Sequence, residues 1–169
     1  MRAVAVAFFV GALIIAALDA CAKKTQPVAA PSGRFTVEFV NAGTEELDPV
    51  DYSVDRNLNS AGMAEFAVTQ LLAGPSTGRD SVVLFPPGTT LDVKVAGDLA
   101  TVNINGPLTK SYGGGAGDES AMFKSLTFTL TNVPGIARVQ VVVAGKNVAA
   151  LPGGHLELDT PLTRETFAQ

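Results

Sequence analysis

The sequence predicts a domain of mixed helix and strand behind an N-terminal export signal. Three observations carry that reading: period-2 alternation at Phe35–Phe39 and again through Val93–Ile104, helical spacing over Met63–Leu71, and an apolar run that opens the chain.

RFTVEFVN, residues 34–41, places Phe35, Val37 and Phe39 on one face, as a half-buried strand requires. Asn41-Ala42-Gly43 reads as a turn. A second strand runs over Leu47–Val54, and Pro49, which has no N–H to give a ladder, puts it at a sheet edge. Ser60 is positioned to cap a helix carrying Met63, Phe66, Ala67 and Leu71, which Gly74 ends in a left-handed conformation and Pro75 blocks from continuing. Phe85-Pro86-Pro87-Gly88 is a turn. After it, Val93 and Val95, then Ala100, Val102 and Ile104, alternate on either side of Gly97-Asp98, the signature of a β-hairpin with a primed turn. SAMFKSLTFTLTNVPG fits two templates: Leu126, Phe128 and Leu130 alternate with threonines like a strand, whereas Met122, Leu126, Leu130 and Val133 share a helix face. Threonine favours strand, while the acidic start at Asp118-Glu119 and the Pro134-Gly135 stop favour helix. IARVQVVV, residues 136–143, is a β-branched strand, followed by an Ala-Gly-Lys turn and the short run NVAAL.

The first residues read MRAVAVAFFVGALIIAALDAC: one basic residue, an apolar stretch to Leu18, then the chain's one cysteine, Cys21. That is a secretory signal, and Leu18-Asp19-Ala20-Cys21 resembles the lipobox of bacterial lipoproteins, with Asp19 where a small or aliphatic residue is usual. The expected organisation is a signal peptide over 1–20, a lipid-attached Cys21 with a flexible linker over 21–33, and a domain over 34–169. Two or more acyl chains on Cys21 give durable attachment to a membrane face, at about 0.8 kcal/mol per buried methylene. The Pro- and Ala-rich linker could hold the domain about 40 Å from the bilayer, with Lys23-Lys24 against anionic headgroups. Ala22 after the cysteine favours the periplasmic side of the outer membrane in a two-membrane bacterium; otherwise the outer face of the plasma membrane is expected. With its cysteine spent on lipid, the domain is expected to rely on its core and not on a disulfide. The net charge of −4 argues against phosphate-backbone binding, which needs a basic stripe, so no nucleic acid partner is expected.

Four patterns raise chemistry. GPSTG, residues 74–78, matches G-x-S-x-G with Ser76 at the nucleophile position, and Ser76, Asp118 and His155 follow the chain order of an α/β-hydrolase triad. A nucleophile elbow, however, joins a strand to a following helix; here a helix precedes the motif, and His155 sits in LPGGHLEL, which reads as an exposed turn and then a strand. GGGAG, residues 113–117, lacks the Lys-Ser/Thr of a phosphate loop, and Asp118 and Glu119 repel phosphate there, so a flexible surface loop is expected. Glu45, Glu46, Asp48, Asp51 and Asp55 lack the order of a calcium loop and read as a solvated face of an edge strand. No catalytic residue, cofactor or metal is therefore assigned.

LLAGPSTG, FPPGTTL, VKVAGDLATVNI, SLTFTLTNVPGIARVQVVVAGK and LDTPLTRETF, in that order, resemble the GerMN domain family, named for proteins of sporulation and spore germination. The resemblance resolves SLTFTLT as the second helix and leaves Ser76 without a catalytic role. It implies an α+β fold with two helices packed on one face of a mainly antiparallel sheet, in rough order β-β-α-β-β-α-β-β, similar to ring-building domains of envelope-spanning complexes. It also implies no enzymatic activity. Some members carry two tandem copies; this chain carries one, and a ring would need identical subunits meeting head to tail. The function expected on this basis is a non-enzymatic envelope lipoprotein whose domain mediates protein–protein assembly or self-assembly, in sporulation or germination if the organism forms spores. The alternatives are a peptidoglycan-binding module with the Ser111–Gly117 loop at its rim and, more remotely, a serine hydrolase using Ser76.

Overall fold

Strand β1 (Ser32–Asn41) is the pivot of the molecule. In the structure, a computed structural model that describes residues 32–75 and 80–168, it pairs antiparallel with β2 (Leu47–Asp55) from Ser32 to Val40. The link between them is held by Asn41, whose Oδ1 accepts the N–H groups of Gly43 at 2.9 Å and Thr44 at 3.1 Å. Pro49 is exposed and β2 is indeed an edge strand. The other elements are α1 (Ser60–Ala73), β3 (Ser81–Val82), β4 (Thr90–Ala96), β5 (Leu99–Asn105), α2 (Ala116–Thr131), β6 (Arg138–Val143) and β7 (Lys146–Asn147). The fold is α+β, and its order follows the expected one with the two-residue β3 added.

The strands form two hydrogen-bonded sheets, β2-β1-β3 and β4-β5-β6-β7. All pairings are antiparallel except β5 with β6, which run parallel because α2 makes the crossover between them. Beside the two-residue β3 the first sheet gains no further strand, because α2 lies along the rest of that edge of β1. The Glu38 N–H donates to Thr129 Oγ1 at 2.9 Å, Ser125 Oγ donates to the Glu38 carbonyl at 2.5 Å, and Asn132 Nδ2 donates to the Thr36 carbonyl at 3.0 Å. Side chains at i, i+4 and i+7 on one helix face thus replace a neighbouring strand. This accounts for Ser125 and Thr129 in the helix: they satisfy backbone groups of β1 that burial would leave unpaired.

The neighbouring stripe of α2, Met122, Phe123, Leu126 and Leu130, is fully buried together with Val37, Phe39, Ala64, Ala67, Val102, Ile104, Val139 and Val141. Helix α1 packs on β4, β1 and α2, and its Phe66 ring meets Phe35 edge-to-face at 6.2 Å. The cap of α1 is Asn59, one residue before the expected Ser60. Asn59 Oδ1 accepts from Gly62 N–H at 2.8 Å, and Ser60 instead donates to the Pro134 carbonyl at 3.0 Å. Gly74 ends α1 at φ 88° and ψ 169°, a positive φ as expected but extended and not the left-handed helical form. Gly97 has φ 62° at the tip of the β4–β5 hairpin and Asp98 does not share it, the pattern of a type II′ turn. LPGGHLEL holds no strand: Leu158 is instead buried and its N–H reaches the Ala149 carbonyl at 2.7 Å. Among the described residues no helix is long and apolar enough to cross a membrane.

Candidate functional site

Of the residues singled out for hydrolysis, Asp118 and His155 are described, and no hydrogen bond or ion pair joins them. Ser76 lies outside the described residues, as do Cys21, the signal stretch and the linker up to residue 31. Asp118 lines a groove with Val40, Val82, Leu84 and Ala121, whereas His155 faces a different carboxyl group. His155 Nδ1 is 3.6 Å from Glu119 Oε2, and its ring is largely exposed.

Glu119 is the side chain that the sequence reading placed only at the helix dipole. It sits in the first turn of α2 with no exposed surface, and its Oε2 accepts the N–H groups of His155 at 2.5 Å and Leu156 at 3.2 Å. Oε1 has no hydrogen-bond partner among the described residues and abuts Gly154, where a Cβ would overlap it. A signal was present: carrying the Met122, Phe123, Leu126, Leu130 stripe back by one turn lands on position 119. The carboxyl group ties the 151–156 loop to the helix start, where acidic groups are favoured.

The GGGAG segment has a related structural use. Gly114 lies under the Tyr112 ring, with a Cβ reaching 3.2 Å from Cε1 and closer still to the phenol oxygen, and the Tyr112 hydroxyl donates to the Gly115 carbonyl at 3.3 Å. Burial, assisted by Asp118 and Glu119, raises the Tyr112 phenol above its ordinary pKa. The start of α2 is therefore already filled by the protein's own aromatic and acidic groups, which is no cradle for a phosphate. Nor do any three His, Cys, Asp or Glu side chains among the described residues converge as metal ligands. Of the acidic group near β2, Asp51 accepts from Thr36 Oγ1 at 2.7 Å and Arg34 Nη1 at 3.2 Å across the ladder, and Asp48 accepts a short hydrogen bond from Ser81.

What the surface does present is strand edge. β2 and β3 bound one sheet, β4 and β7 the other, and of these β2 and β4 are the long ones. In the β4–β5 hairpin the hydrogen-bonded closing pair is Ala96 with Leu99, so Lys94, Asp92 and Thr90 also bond β5, and the alternate residues, Val95, Val93 and Leu91, turn their N–H and C=O away from it. The Ile104 carbonyl confirms the phase: it bonds Ala144 N–H on the β6 side and not Leu91. At the hairpin tip Arg138 makes two hydrogen bonds to Asp98, at 2.7 and 3.0 Å, which lower the Asp98 carboxyl below its ordinary value of 3.8. A depressed carboxyl stabilises the fold above its unfolded value and loses that effect as pH falls through the folded one. The melting-temperature gap between wild type and Asp98→Asn should accordingly be constant above about pH 5 and close below 3.8. Thermal melts across that range check it, and a gap independent of pH would show that the pair contributes nothing.

A family model named Germane, described as sporulation and spore germination, matches residues 36–149, spanning both sheets and both helices. The chain belongs to the Germane family. Among solved structures, the Germane fold of this chain is similar to the first GerMN domain of the sporulation protein GerM from Bacillus subtilis, at 17% identity and TM-score 0.60, covering 79% of this chain and 98% of that one. The tandem GerMN domains of the same protein match at 19% identity and TM-score 0.58, covering 84% of this chain, which spans about half (48%) of the tandem. A candidate lipoprotein of Clostridium perfringens matches at 20% identity and TM-score 0.57, covering 79% of this chain and 89% of that one. No curated protein matches this chain.

Proposed function

We infer that this Germane-family chain is a non-enzymatic envelope lipoprotein, anchored through Cys21, whose domain mediates protein–protein assembly. The observation that carries the reading is the outer edge of β4, where alternate backbone groups aim away from the sheet and meet no partner among the described residues. Unpaired edges are templates for another chain. The opening MRAVAVAFFVGALIIAALDAC supports the export and the anchor, and the Pro-rich linker gives the domain reach from the membrane. A role in sporulation or germination follows the family where the organism forms spores. Domain boundaries at 20/21 and 33/34 belong to the same proposal.

The test is made on the full-length chain in its own cells. Cross-linking of intact cells should trap it in species larger than a monomer, and Cys21→Ser should abolish lipid incorporation and leave the uncleaved precursor mass. If the wild-type chain stays monomeric at every cross-linker concentration, the assembly role is lost; if Cys21→Ser leaves lipid labelling and mass unchanged, the anchor is lost.

A further inference from the structure

We propose that β4 is a homotypic docking edge, at which two copies of the chain pair their Thr90–Ala96 strands antiparallel about a two-fold axis through Val93. The inference rests on the assembly reading above and names its partner: a second copy.

The edge is built for pairing. It is seven residues long, contains no proline, and turns out the N–H and C=O of Leu91, Val93 and Val95. Its inward side chains are also under-covered. Val93 and Val95 are half-buried, while the residues directly across the ladder, Val102 and Ala100, are wholly buried. β5 has a strand on each side, whereas β4 has one only on its β5 side, so a further strand along its free edge would add cover that Val93 and Val95 lack.

The sequence TLDVKVA then selects the partner. About Val93, the two-fold sets Leu91 opposite the partner's Val95 on the apolar face. On the exposed face it sets Asp92 opposite the partner's Lys94, and Lys94 opposite the partner's Asp92. Opposite charges directly across a ladder stabilise it, and like charges destabilise it. Moving the axis to Asp92 or Lys94 places a charge against its own copy, so the register is specified by charge. Lys94 has no ion-pair partner among the described residues, and Asp92 accepts only from Asn105 Nδ2, through Oδ2 at 3.1 Å. A lone lysine on an edge normally discourages pairing; the aspartate at its mirror position reverses that effect for this one partner.

The other edges do not offer this. In β2 a two-fold through its centre brings Asp51 against the partner's Asp51, and Pro49 gives no N–H. β3 and β7 are two residues each. The pairing is isologous and closes at two copies.

The experiment is co-purification of an untagged full-length chain by a tagged full-length chain after detergent solubilisation. Wild-type copies should co-purify. Lys94→Asp with itself, and Asp92→Lys with itself, should bind roughly tenfold more weakly, because each sets like charges in both cross-strand pairs. A tagged Lys94→Asp chain with an untagged Asp92→Lys chain should recover wild-type capture, as should the double swap with itself. That recovery also establishes that the single variants fold, and shared micelles cannot mimic it, since micelle occupancy ignores the sign of a strand charge. The proposal is overturned if the self-pairs co-purify as well as wild type, in which case assembly stands but uses another surface. It is equally overturned if the mixed pair fails to recover, or if wild-type copies never co-purify, when assembly would require a different protein.

Discussion

Gly106→Ala should destabilise the domain by about 3–5 kcal/mol, among the largest losses available to a single added methyl group. Gly106 follows β5 with φ 92° and ψ −145°, a conformation that residues with a Cβ adopt only under strain of roughly 1–3 kcal/mol. Space compounds the cost. A Cβ there would overlap the Gly88 carbonyl oxygen and come within 3.1 Å of its carbon and 3.2 Å of Thr89 Cα, all backbone atoms of the turn that starts β4. No rotamer relieves such a contact; the open end of the hairpin must spread, at a further 1–3 kcal/mol or so. Against a total stability of about 5–15 kcal/mol, the melting temperature should fall by about 10 °C or more. Gly117→Ala is the contrast, since position 117 lies in the first turn of α2 with nothing within 4 Å of the added carbon; it should gain about 0.5–1 kcal/mol. Denaturant titrations of the three chains decide this, and a Gly106→Ala loss under about 1 kcal/mol would mean that the turn relaxes freely.

Elements whose evidence is local were legible. β1, the β4–β5 hairpin and β6 each carry their alternation within a few residues, and the inward sets Phe35, Val37, Phe39 and Ala100, Val102, Ile104 are the buried ones. Helix α2 was not decidable from its own residues, because the reason for Ser125 and Thr129 lies across the chain. Thr129 and Ser125 bond Glu38, which is 91 and 87 residues away in sequence. A propensity scale counts those residues as poor helix formers; only the fold shows them standing in for a strand. For the same reason the division into two sheets could not be read, since it depends on where α2 comes to lie. Glu119 was missed differently. Its charge suggested solvent, yet it occupies the buried stripe, and the paired Gly153-Gly154 that leaves it room gave no sign of which side chain it received. The edge chemistry of β4 was visible as alternation, but that Lys94 meets no ion-pair partner among the described residues is a fact of three dimensions.

Glu119→Ala should cost about 2–4 kcal/mol, a figure that comes from weighing two opposed effects. Removing the carboxyl group strips the His155 and Leu156 N–H groups of their acceptor, at about 1–3 kcal/mol for each that stays dry, and leaves a void in the fully buried surroundings of position 119. On the other side, burying Oε1 without a hydrogen bond already costs the native fold something on the order of 1–2 kcal/mol, which the substitution returns. Two donors and a cavity outweigh one orphaned acceptor, so the net sign is destabilising. Glu119→Gln separates the contributions, since its amide oxygen can take both N–H groups while the volume is kept, and it should restore more than half of the loss. The damage should be local as well: hydrogen exchange at His155 and Leu156 should accelerate while β1 and β5 stay protected. The same pair distinguishes a structural from a chemical role for His155. A histidine employed in catalysis would depend on the acid–base character of its carboxyl neighbour, so Gln would be as damaging as Ala. A loop tie requires only an acceptor, and in that case Gln stands close to wild type in both stability and envelope assembly.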